Sequence, residues 1–186
     1  MKCTPFEGLS EVLLIEPRVH RDGRGYFLEI FQSERYGASG VKNPFLQDNL
    51  SYSTKGVLRG LHYQLDHPQA KLVMAIQGEI FDVVVDIRKG SPTFGTWSGA
   101  ILTGDEGHQL YVPKGFAHGF CVMSESATVL YKCTDYYNPA GERGLRWDDP
   151  RLGIHWLVDA PILSDKDRAY PSLADVSSED LPLYQR

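Results

Sequence analysis

A strict alternation of apolar and mixed residues over Glu79–Arg88 constrains the fold of this chain more than any other feature. The segment contains two interleaved sets: Phe81, Val83, Val85 and Ile87 in one, and Ile80, Asp82, Val84 and Asp86 in the other. Side chains on a strand point alternately to opposite faces, whereas a helix could not gather either set on one face. The pattern therefore predicts a β-strand with one dry side and one mixed side.

Strand-like composition recurs along most of the chain, and turn residues such as Gln77-Gly78 separate the segments. The other predicted strands are Val12–Ile15, Tyr26–Phe31, Phe45–Ser51, Val57–Gln64, Lys71–Gln77, Trp97–Leu102, Gln109–Val112, Gly119–Met123 and Ala127–Thr134. Helix is limited to Ser33–Tyr36 and a turn near Asp165–Arg168. These elements predict an all-β jelly-roll barrel with a few short helices, whose mouth would bind a small ligand. We expect one domain over residues 1–186, with 177–186 as a loose tail.

Charge and cysteine content narrow the possible partners and the compartment. The net charge is -5 and no run of Lys or Arg occurs, which argues against binding to nucleic acid or to an anionic membrane surface. No apolar segment approaches the roughly 20 residues that span a bilayer. Cys3, Cys121 and Cys133 show no paired metal spacing, and the start of the chain lacks a basic stretch followed by a long apolar run. A cytoplasmic protein is predicted.

The segment Gly56–Gln64, together with Lys71, places charged side chains among apolar strand residues. Charge is costly in such surroundings unless a site uses it. Were this strand straight, Arg59 and His62 would face opposite ways. Gly60 between them favours a β-bulge, because one extra residue would turn both side chains into the same cavity. A guanidinium, an imidazole and an ammonium together suit proton abstraction next to a carbonyl.

A metal site is the main alternative for a jelly-roll of this kind. Pro113–His118 is similar to the second metal-binding motif of cupins. The first motif lacks its ligands, because His62 is followed two positions later by Gln64 and no Glu comes soon after. Two isolated imidazoles form a poor shell for a transition metal. We therefore predict no metal, and elemental analysis of the purified protein would test the alternative.

Several segments, in the same order along the chain, resemble those of dTDP-4-dehydrorhamnose 3,5-epimerases. They are Asp22–Glu29, Gln47–Ser51, Gly56–Gln64, Lys71–Val73, Phe81–Arg88, Ser91–Gly95, Pro113–Phe120 and Leu163–Asp167. The resemblance implies a cupin-like double-stranded β-helix that works as a homodimer without metal or cofactor. It also implies the substrate, dTDP-4-dehydro-6-deoxy-glucose, which would be inverted at C3 and C5 beside the C4 ketone on the way to dTDP-L-rhamnose.

The reaction needs a base, a group that stabilises an enolate and an acid. His62 is the candidate base, because an ordinary imidazole titrates near 6.5. Lys71 is the candidate for stabilising the enolate oxygen. The resemblance implies that Asp167 orients His62 and that Tyr131 returns the proton from the opposite face of the sugar. The alternatives are a packed strand histidine, a lysine reaching solvent and an ordinary strand tyrosine.

The resemblance also assigns residues to substrate binding. Arg24 and Arg59 would clamp the pyrophosphate, and Tyr137 would stack on the thymine with Phe27 nearby. Further polar contacts are assigned to Glu29, Gln47, Asp48, Asn49, Lys71, His118, Glu142 and Lys166. Arg24, Phe27 and Glu29 are implied to cross to the partner subunit, so that each N-terminal segment would complete the other subunit's nucleotide site.

Two alternatives to double epimerisation stay open. Related enzymes invert only C3 or only C5 and share the equivalents of His62, Lys71 and Tyr131. A non-catalytic sugar-nucleotide-binding jelly-roll would be expected to lose one member of the catalytic set, yet all members are present, Asp167 included.

The chain departs from the family pattern at His20, where the family often carries a phenylalanine that helps to sandwich the thymine base. An imidazole can still stack on the base, with a different affinity or pH dependence.

Overall fold

Two large antiparallel sheets face each other in the computed structural model, which describes residues 1–41 and 43–185. The strands are β1 (Lys2–Phe6), β2 (Leu9–Glu16), β3 (Val19–Asp22), β4 (Gly25–Leu28), β5 (Gln47–Thr54), β6 (Leu58–Gln64), β7 (Lys71–Gln77), β8 (Glu79–Asp86), β9 (Trp97–Thr103), β10 (Gln109–Val112), β11 (Phe116–Val122), β12 (Ser126–Cys133) and β13 (Glu142–Gly144). One sheet has the order β1-β2-β10-β7-β12-β5 and the other β13-β6-β11-β8-β9, while β3 and β4 form a separate hairpin. The predicted all-β, cupin-like jelly-roll is confirmed.

Helical segments are short, as the sequence predicts. They are α1 (Ser33–Ala38), α2 (Asp165–Ala169) and a 3-10 turn over Pro139–Gly141. Within the described ranges, no helix is long and apolar enough to cross a bilayer.

Strand β8 shows how the two faces of the five-stranded sheet are used. Its apolar set, which includes Val83 and Val85, packs outward against Leu145 and Trp156 of the C-terminal region. The mixed set faces the interior between the sheets, where Val84 joins the central core. Asp82 and Asp86, of that same set, are fully buried. Both sides of β8 are therefore covered, and its carboxylates point inward rather than to solvent.

The irregularity predicted at Gly60 is confirmed. Between β6 and β11, His118 pairs with His62 but Phe120 pairs with Arg59, so β6 carries one extra residue. Gly60 has a φ of +131°, and a Cβ there would lie 2.5 Å from Cα of Gly119. The bulge thus depends on a close backbone approach that only glycine allows. Its result is that Arg59 and His62 line the same cavity.

The end of the described chain differs from the predicted loose tail. Residues 177–185 lie against the body: Arg143 Nε donates to Asp180 at 2.8 Å, and the Tyr63 hydroxyl donates to the Asp180 carbonyl at 2.9 Å. The backbone N–H of Tyr184 donates to Lys89 at 3.1 Å. Polar composition alone predicted a loose segment, but these long-range bonds attach it.

Three strands are absent from the sequence prediction: β1, β3 and β13. Strand β1 lies at the edge of its sheet and contains Pro5, and β3 forms only an isolated hairpin with β4. Strand β13 has three residues and exists through its pairing with β6. None of them presents a regular apolar face, so the period-two pattern could not reveal them.

Candidate active site

A cavity of about 570 Å³ opens between the two sheets at one end of the sandwich. Most of the predicted site residues line it: Gln47, Asn49, Arg59, His62, Lys71, His118, Tyr131, Tyr137, Glu142, Lys166 and Asp167. They come from both sheets, from α2 and, for Tyr137, from the segment between β12 and the 3-10 turn. A sandwich interior is apolar by default, so this concentration of polar groups marks a binding or catalytic site.

His62 and Asp167 form a hydrogen-bonded pair. Nε2 of His62 lies 2.5 Å from Oδ1 of Asp167, whose side chain is almost fully buried. Burial lowers the pKa of His62, the bond and charge of Asp167 oppose that shift, and Lys71 and Lys166 reinforce it. The net lowering keeps the imidazole neutral at neutral pH. Since a carboxylate accepts the proton of Nε2, Nδ1 is left as the basic nitrogen.

Helix α2 holds the carboxylate in place. Ser164 caps this helix, and its hydroxyl donates to Oδ2 of Asp167 at 2.9 Å while accepting from the Asp167 backbone N–H at 3.1 Å. Burial would raise the pKa of Asp167, but the bonds from His62 and Ser164 outweigh it and the pKa is lowered. The carboxylate is therefore ionised whenever the imidazole is needed as a base.

Lys71 and Tyr131 lie on neighbouring strands of the six-stranded sheet. Lys71 pairs in register with Cys133, two residues along β12 from Tyr131. Burial lowers the pKa of the Lys71 ammonium, against the effect of Cys133, Asp82 and Glu142. Burial also raises the pKa of the Tyr131 phenol. A phenol that keeps its proton can act as an acid at neutral pH.

A second imidazole–carboxylate pair lies beside the first. His118 on β11 is the register partner of His62 on β6. Its Nε2 lies 2.9 and 3.0 Å from the two oxygens of Asp82, which is fully buried. This bond fixes the orientation of the His118 ring, and with it the direction of the other ring nitrogen, Nδ1. Asp82, one of the two interior carboxylates of β8, thus orients a histidine of the site.

A carboxylate, an ammonium group and an aromatic ring meet at the mouth of the cavity. Glu142 accepts from Lys166 Nζ at 2.8 and 3.0 Å and from the Tyr137 hydroxyl at 2.8 Å. Burial would raise the pKa of Glu142, but the bonds from Lys166 and Tyr137 lower it overall. The ammonium and the ring are thereby held at the entrance, where an anionic, base-containing ligand would pass.

Alternate residues of β5 form a polar row on the cavity side. Gln47 Nε2 donates to Asn49 Oδ1 at 2.9 Å, and Arg59 Nε donates to Ser53 Oγ at 3.0 Å. Between them, the buried Oγ of Ser51 is without a partner among the described residues. The row offers amide and hydroxyl groups to a ligand, and its bond to Arg59 orients the guanidinium.

Four predicted binding residues lie outside this cavity. Asp48 faces the other side of β5, where it accepts from Lys132 Nζ at 2.8 Å. Arg24 bonds to Asp22 at 2.5 Å and Glu29 to Arg35 at 3.2 Å. The fourth, Phe27, is 70% exposed and lines a second cavity of about 300 Å³ against the outer face of the six-stranded sheet. Within one chain, none of the four reaches the His62 pair.

Several lining residues were not predicted: Ser51, Tyr63, Gln64, Gln69, Phe120 and Ser164. Ser51 shares its face with Gln47 and Asn49, so strand alternation could have identified it. The S-x-x-D spacing from Ser164 to Asp167 is a helix-start signal that could have identified the cap. Tyr170, also unpredicted, packs its ring against His62 at a centroid distance of 5.7 Å.

Across residues 1–41 and 43–185, no three side chains of His, Cys, Asp or Glu come together as a metal site. His62 and His118 each bond instead to a carboxylate through Nε2.

Fold and site together define a cupin-like enzyme equipped to move protons to and from carbon. Residues 7–175 match the family model described as dTDP-4-dehydrorhamnose 3,5-epimerase. The chain belongs to the dTDP-4-dehydrorhamnose 3,5-epimerase family, and it is an isomerase. The family membership that the sequence motifs predicted is thus confirmed.

Individual relatives agree with the family match. A dTDP-4-dehydrorhamnose 3,5-epimerase of Neisseria gonorrhoeae is 51% identical over 93% of this chain, which spans about half (53%) of that relative's length. The crystal structure of a 3,5-epimerase from Legionella pneumophila with dTDP-4-keto-L-rhamnose is 48% identical, with a TM-score of 0.97 and coverage of 100% of this chain and 99% of that one. A 3'-monoepimerase of Streptomyces bikiniensis with dTDP-quinovose is 36% identical, with a TM-score of 0.89 and coverage of 97% and 92%.

Proposed function

We propose that this protein inverts C3 and C5 of dTDP-4-dehydro-6-deoxy-glucose, giving dTDP-4-dehydro-L-rhamnose, in the biosynthesis of dTDP-L-rhamnose. One observation carries the proposal: the His62–Asp167 pair, at 2.5 Å, shares a cavity with Lys71 and Tyr131. A base, a cation and an acid around one space are what epimerisation beside a ketone requires.

The first half of the reaction forms an enolate. Nδ1 of His62 takes the proton from C3 or C5, and the electron pair of that C–H bond moves to form a double bond with C4. The C4 oxygen becomes negative and is stabilised by the Lys71 ammonium. Asp167 stabilises the imidazolium that results, because its carboxylate already holds Nε2–H.

The second half returns a proton to the opposite face. Tyr131 donates its phenolic proton to the same carbon while the enolate electrons re-form the C4 ketone. The product is the inverted ketone, with His62 protonated and Tyr131 ionised. Exchange of both protons with water restores the starting state, and a second cycle inverts the other carbon. Burial of the phenol, which raises its pKa, favours the protonated state that begins each cycle.

The nucleotide would occupy the outer part of the cavity. Arg59, oriented by Ser53 at 3.0 Å, is placed to bind the pyrophosphate. Lys166 is held at the mouth by Glu142, which also holds the hydroxyl of Tyr137. The Tyr137 ring is then available to stack on thymine. Gln47 and Asn49 supply amide groups from β5.

Replacing Lys71 with methionine is expected to lower kcat by about 10²-fold, because one preorganised charge at the enolate oxygen is lost. Methionine retains much of the stem and its packing, so the fold should persist. Steady-state kinetics with dTDP-4-dehydro-6-deoxy-glucose measures the change. Lys114→Met, at an exposed lysine in a turn that does not line the cavity, is the matched control. An unchanged kcat in Lys71→Met would remove Lys71 from this role.

The proposal is tested by incubation with the substrate in deuterated water and NMR of the sugar. Deuterium at both C3 and C5 supports double epimerisation. Label at one carbon alone indicates a mono-epimerase, an alternative that the similarity to the 3'-monoepimerase supports. Dialysis against a chelator before the assay, with elemental analysis, tests the metal-dependent alternative. Binding of the nucleotide without any label would favour a non-catalytic sugar-nucleotide-binding protein.

A homodimer is part of the proposal. Large apolar side chains on the outer face of the six-stranded sheet are exposed in a single chain, including Leu50 at 65% and Tyr52 at 63%. Leu50 pairs in register with Leu130 and Leu130 with Met74, so the apolar row crosses three strands. A second copy is the occupant that this face and the exposed Phe27 favour. Its hairpin β3–β4 would then bring Arg24 to the neighbouring nucleotide site.

Subunit complementation tests this arrangement. Dimers of His62→Ala alone should be inactive, and dimers of Arg24→Ala/Phe27→Ala should bind dTDP weakly. Co-expression of the two variants with different tags would give mixed dimers in which one of the two sites is intact. Purified mixed dimers should therefore recover about half of the wild-type kcat, as expected for a two-fold symmetric assembly. Activity no greater than that of the parents would place Arg24 and Phe27 in their own subunit's site.

A cytoplasmic location is also proposed. Cys3, Cys121 and Cys133 are free thiols, and the latter two are buried. Free thiols are typical of reducing compartments such as the cytoplasm.

A further inference from the structure

The ring of Tyr170 packs against His62 and is not among the residues that line the cavity. Its centroid is 5.7 Å from that of the His62 imidazole, and the two planes meet at 66°. Tyr170 follows α2 directly and has an extended backbone with φ -65° and ψ 145°. The next residue, Pro171, accepts from the Arg146 backbone N–H at 2.8 Å. The ring is thus placed by a fixed segment and packs edge-to-face on the imidazole.

Gly144 provides the space for this ring. It pairs in register with His62 across β13 and β6. A Cβ on Gly144 would lie 2.4 Å from Cε2 and 2.6 Å from Cδ2 of Tyr170, which is closer than atoms can approach. Gly144 has no left-handed backbone angle, so the requirement for glycine comes from the ring and not from the backbone. Three residues in contact therefore hold one arrangement: Gly144, Tyr170 and His62.

From this geometry we infer that Tyr170 is a positioning residue for His62, holding the imidazole in line with Asp167 and keeping water from the pair. The inference deepens the proposed function, since it rests on His62 as the base. The role belongs to the aromatic ring and not to the hydroxyl, because the contact with the imidazole is made by the ring.

Removal of the ring should change the titration of His62 in a defined direction. The charged or titratable groups that face this imidazole are Asp167 and Lys166 on α2, Lys71 on β7, Glu142 on β13, His118 on β11 and Tyr170 itself. Burial is the largest cause of the lowered pKa of His62. Admission of water beside the ring weakens that cause, so the pKa should rise toward the ordinary value of about 6.5.

Four variants test the inference: Tyr170→Phe, Tyr170→Ala, Gly144→Ala and the double variant Gly144→Ala/Tyr170→Ala. Two quantities are measured, the NMR titration of the His62 imidazole and the acid limb of kcat/KM. Tyr170→Phe should leave both at the wild-type pH. Tyr170→Ala should move both upward and lower kcat by up to about 10²-fold, as a misplaced catalytic group does. Gly144→Ala should move them the same way, because its methyl group displaces the ring.

The double variant supplies the internal control. Once the ring is gone, the methyl group at position 144 has nothing to displace, so the double variant should match Tyr170→Ala and the two effects should not add. An unchanged or downward titration in both Tyr170→Ala and Gly144→Ala would overturn the inference, as would additive effects in the double variant. Should Tyr170→Ala fail to fold, Gly144→Ala and Tyr170→Phe alone decide. The NMR titration needs no turnover, whereas deuterium exchange that persists in His62→Ala would overturn the base assignment instead.

Discussion

Replacement of His62 by alanine is expected to abolish deuterium incorporation at both C3 and C5 while leaving dTDP binding intact. The loss should be at least about 10³-fold, within the range that a positioned general base contributes. Both carbons are affected together because one imidazole serves each side of the same ketone. The smaller side chain leaves Arg59, Tyr137 and Lys166 in place, so the affinity for the nucleotide should change little. NMR of the sugar and calorimetry with dTDP measure the two quantities.

His155→Ala is the matched control for this prediction. His155 is an exposed histidine that does not line the cavity, and its loss should leave exchange at the wild-type rate. Exchange that continues at C3 but stops at C5, or the reverse, would mean that a second base serves one of the carbons. His118, fixed by Asp82 beside His62, would be the first residue to test in that case.

Asp167→Asn is expected to lower kcat/KM by about 10³-fold and to move its acid limb to lower pH. The rate falls because an amide can present its N–H group to Nε2, favouring the wrong tautomer, and cannot stabilise the imidazolium. The limb moves down because the bond and charge of Asp167 now raise the pKa of His62 against the effect of burial. Without them the pKa falls further, and the imidazole stays neutral to a lower pH. In the wild type, burial already lowers the pKa of His62, so the limb is expected on the acid side of that of an ordinary histidine.

A pH series of kcat/KM for both enzymes provides the measurement. Asp165→Asn, an exposed residue on the same helix, is the control and should keep the wild-type limb. The direction separates two roles around one imidazole: loss of the carboxylate lowers the limb, whereas loss of the Tyr170 ring raises it. A limb that rises in Asp167→Asn would show that the carboxylate does not contact the base in solution.

The fold could be predicted from local sequence patterns because most of its strands can be recognised from their own residues and from the turns that bound them. The bounds of β7 and β10 match the prediction, and each is a short apolar segment within the sheet. Strand β11 begins three residues earlier than predicted, at Phe116, because the strand continues through the motif Phe116–His118. The contacts that attach residues 177–185 are long-range bonds, on which a local pattern carries no information.

The site was predictable only in part, and strand alternation shows why. Gln47, Asp48 and Asn49 are consecutive residues of one strand, so they cannot all face the same cavity. Asp48 accordingly faces Lys132 on the other side. The bulge at Gly60 could be inferred because glycine in a strand has a local meaning.

Other site features depend on residues that are distant in sequence. His62 and Asp167 are 105 positions apart. Their pairing could be predicted only from the family resemblance, because no local pattern links them. The contact between Tyr170 and His62 spans a similar distance along the chain and had no local signal at all.

The long separation between His62 and Asp167 has a consequence for synthesis of the protein. The ribosome adds the imidazole with β6, but its carboxylate follows 105 positions later, with α2. A nascent chain that has already paired most of its strands therefore has no oriented base. The segment between β13 and α2 supplies Leu145, Leu152 and Trp156, which cover the outer face of the five-stranded sheet. Catalytic competence and completion of that cover are thus acquired together, so premature termination yields inactive protein with an uncovered apolar sheet.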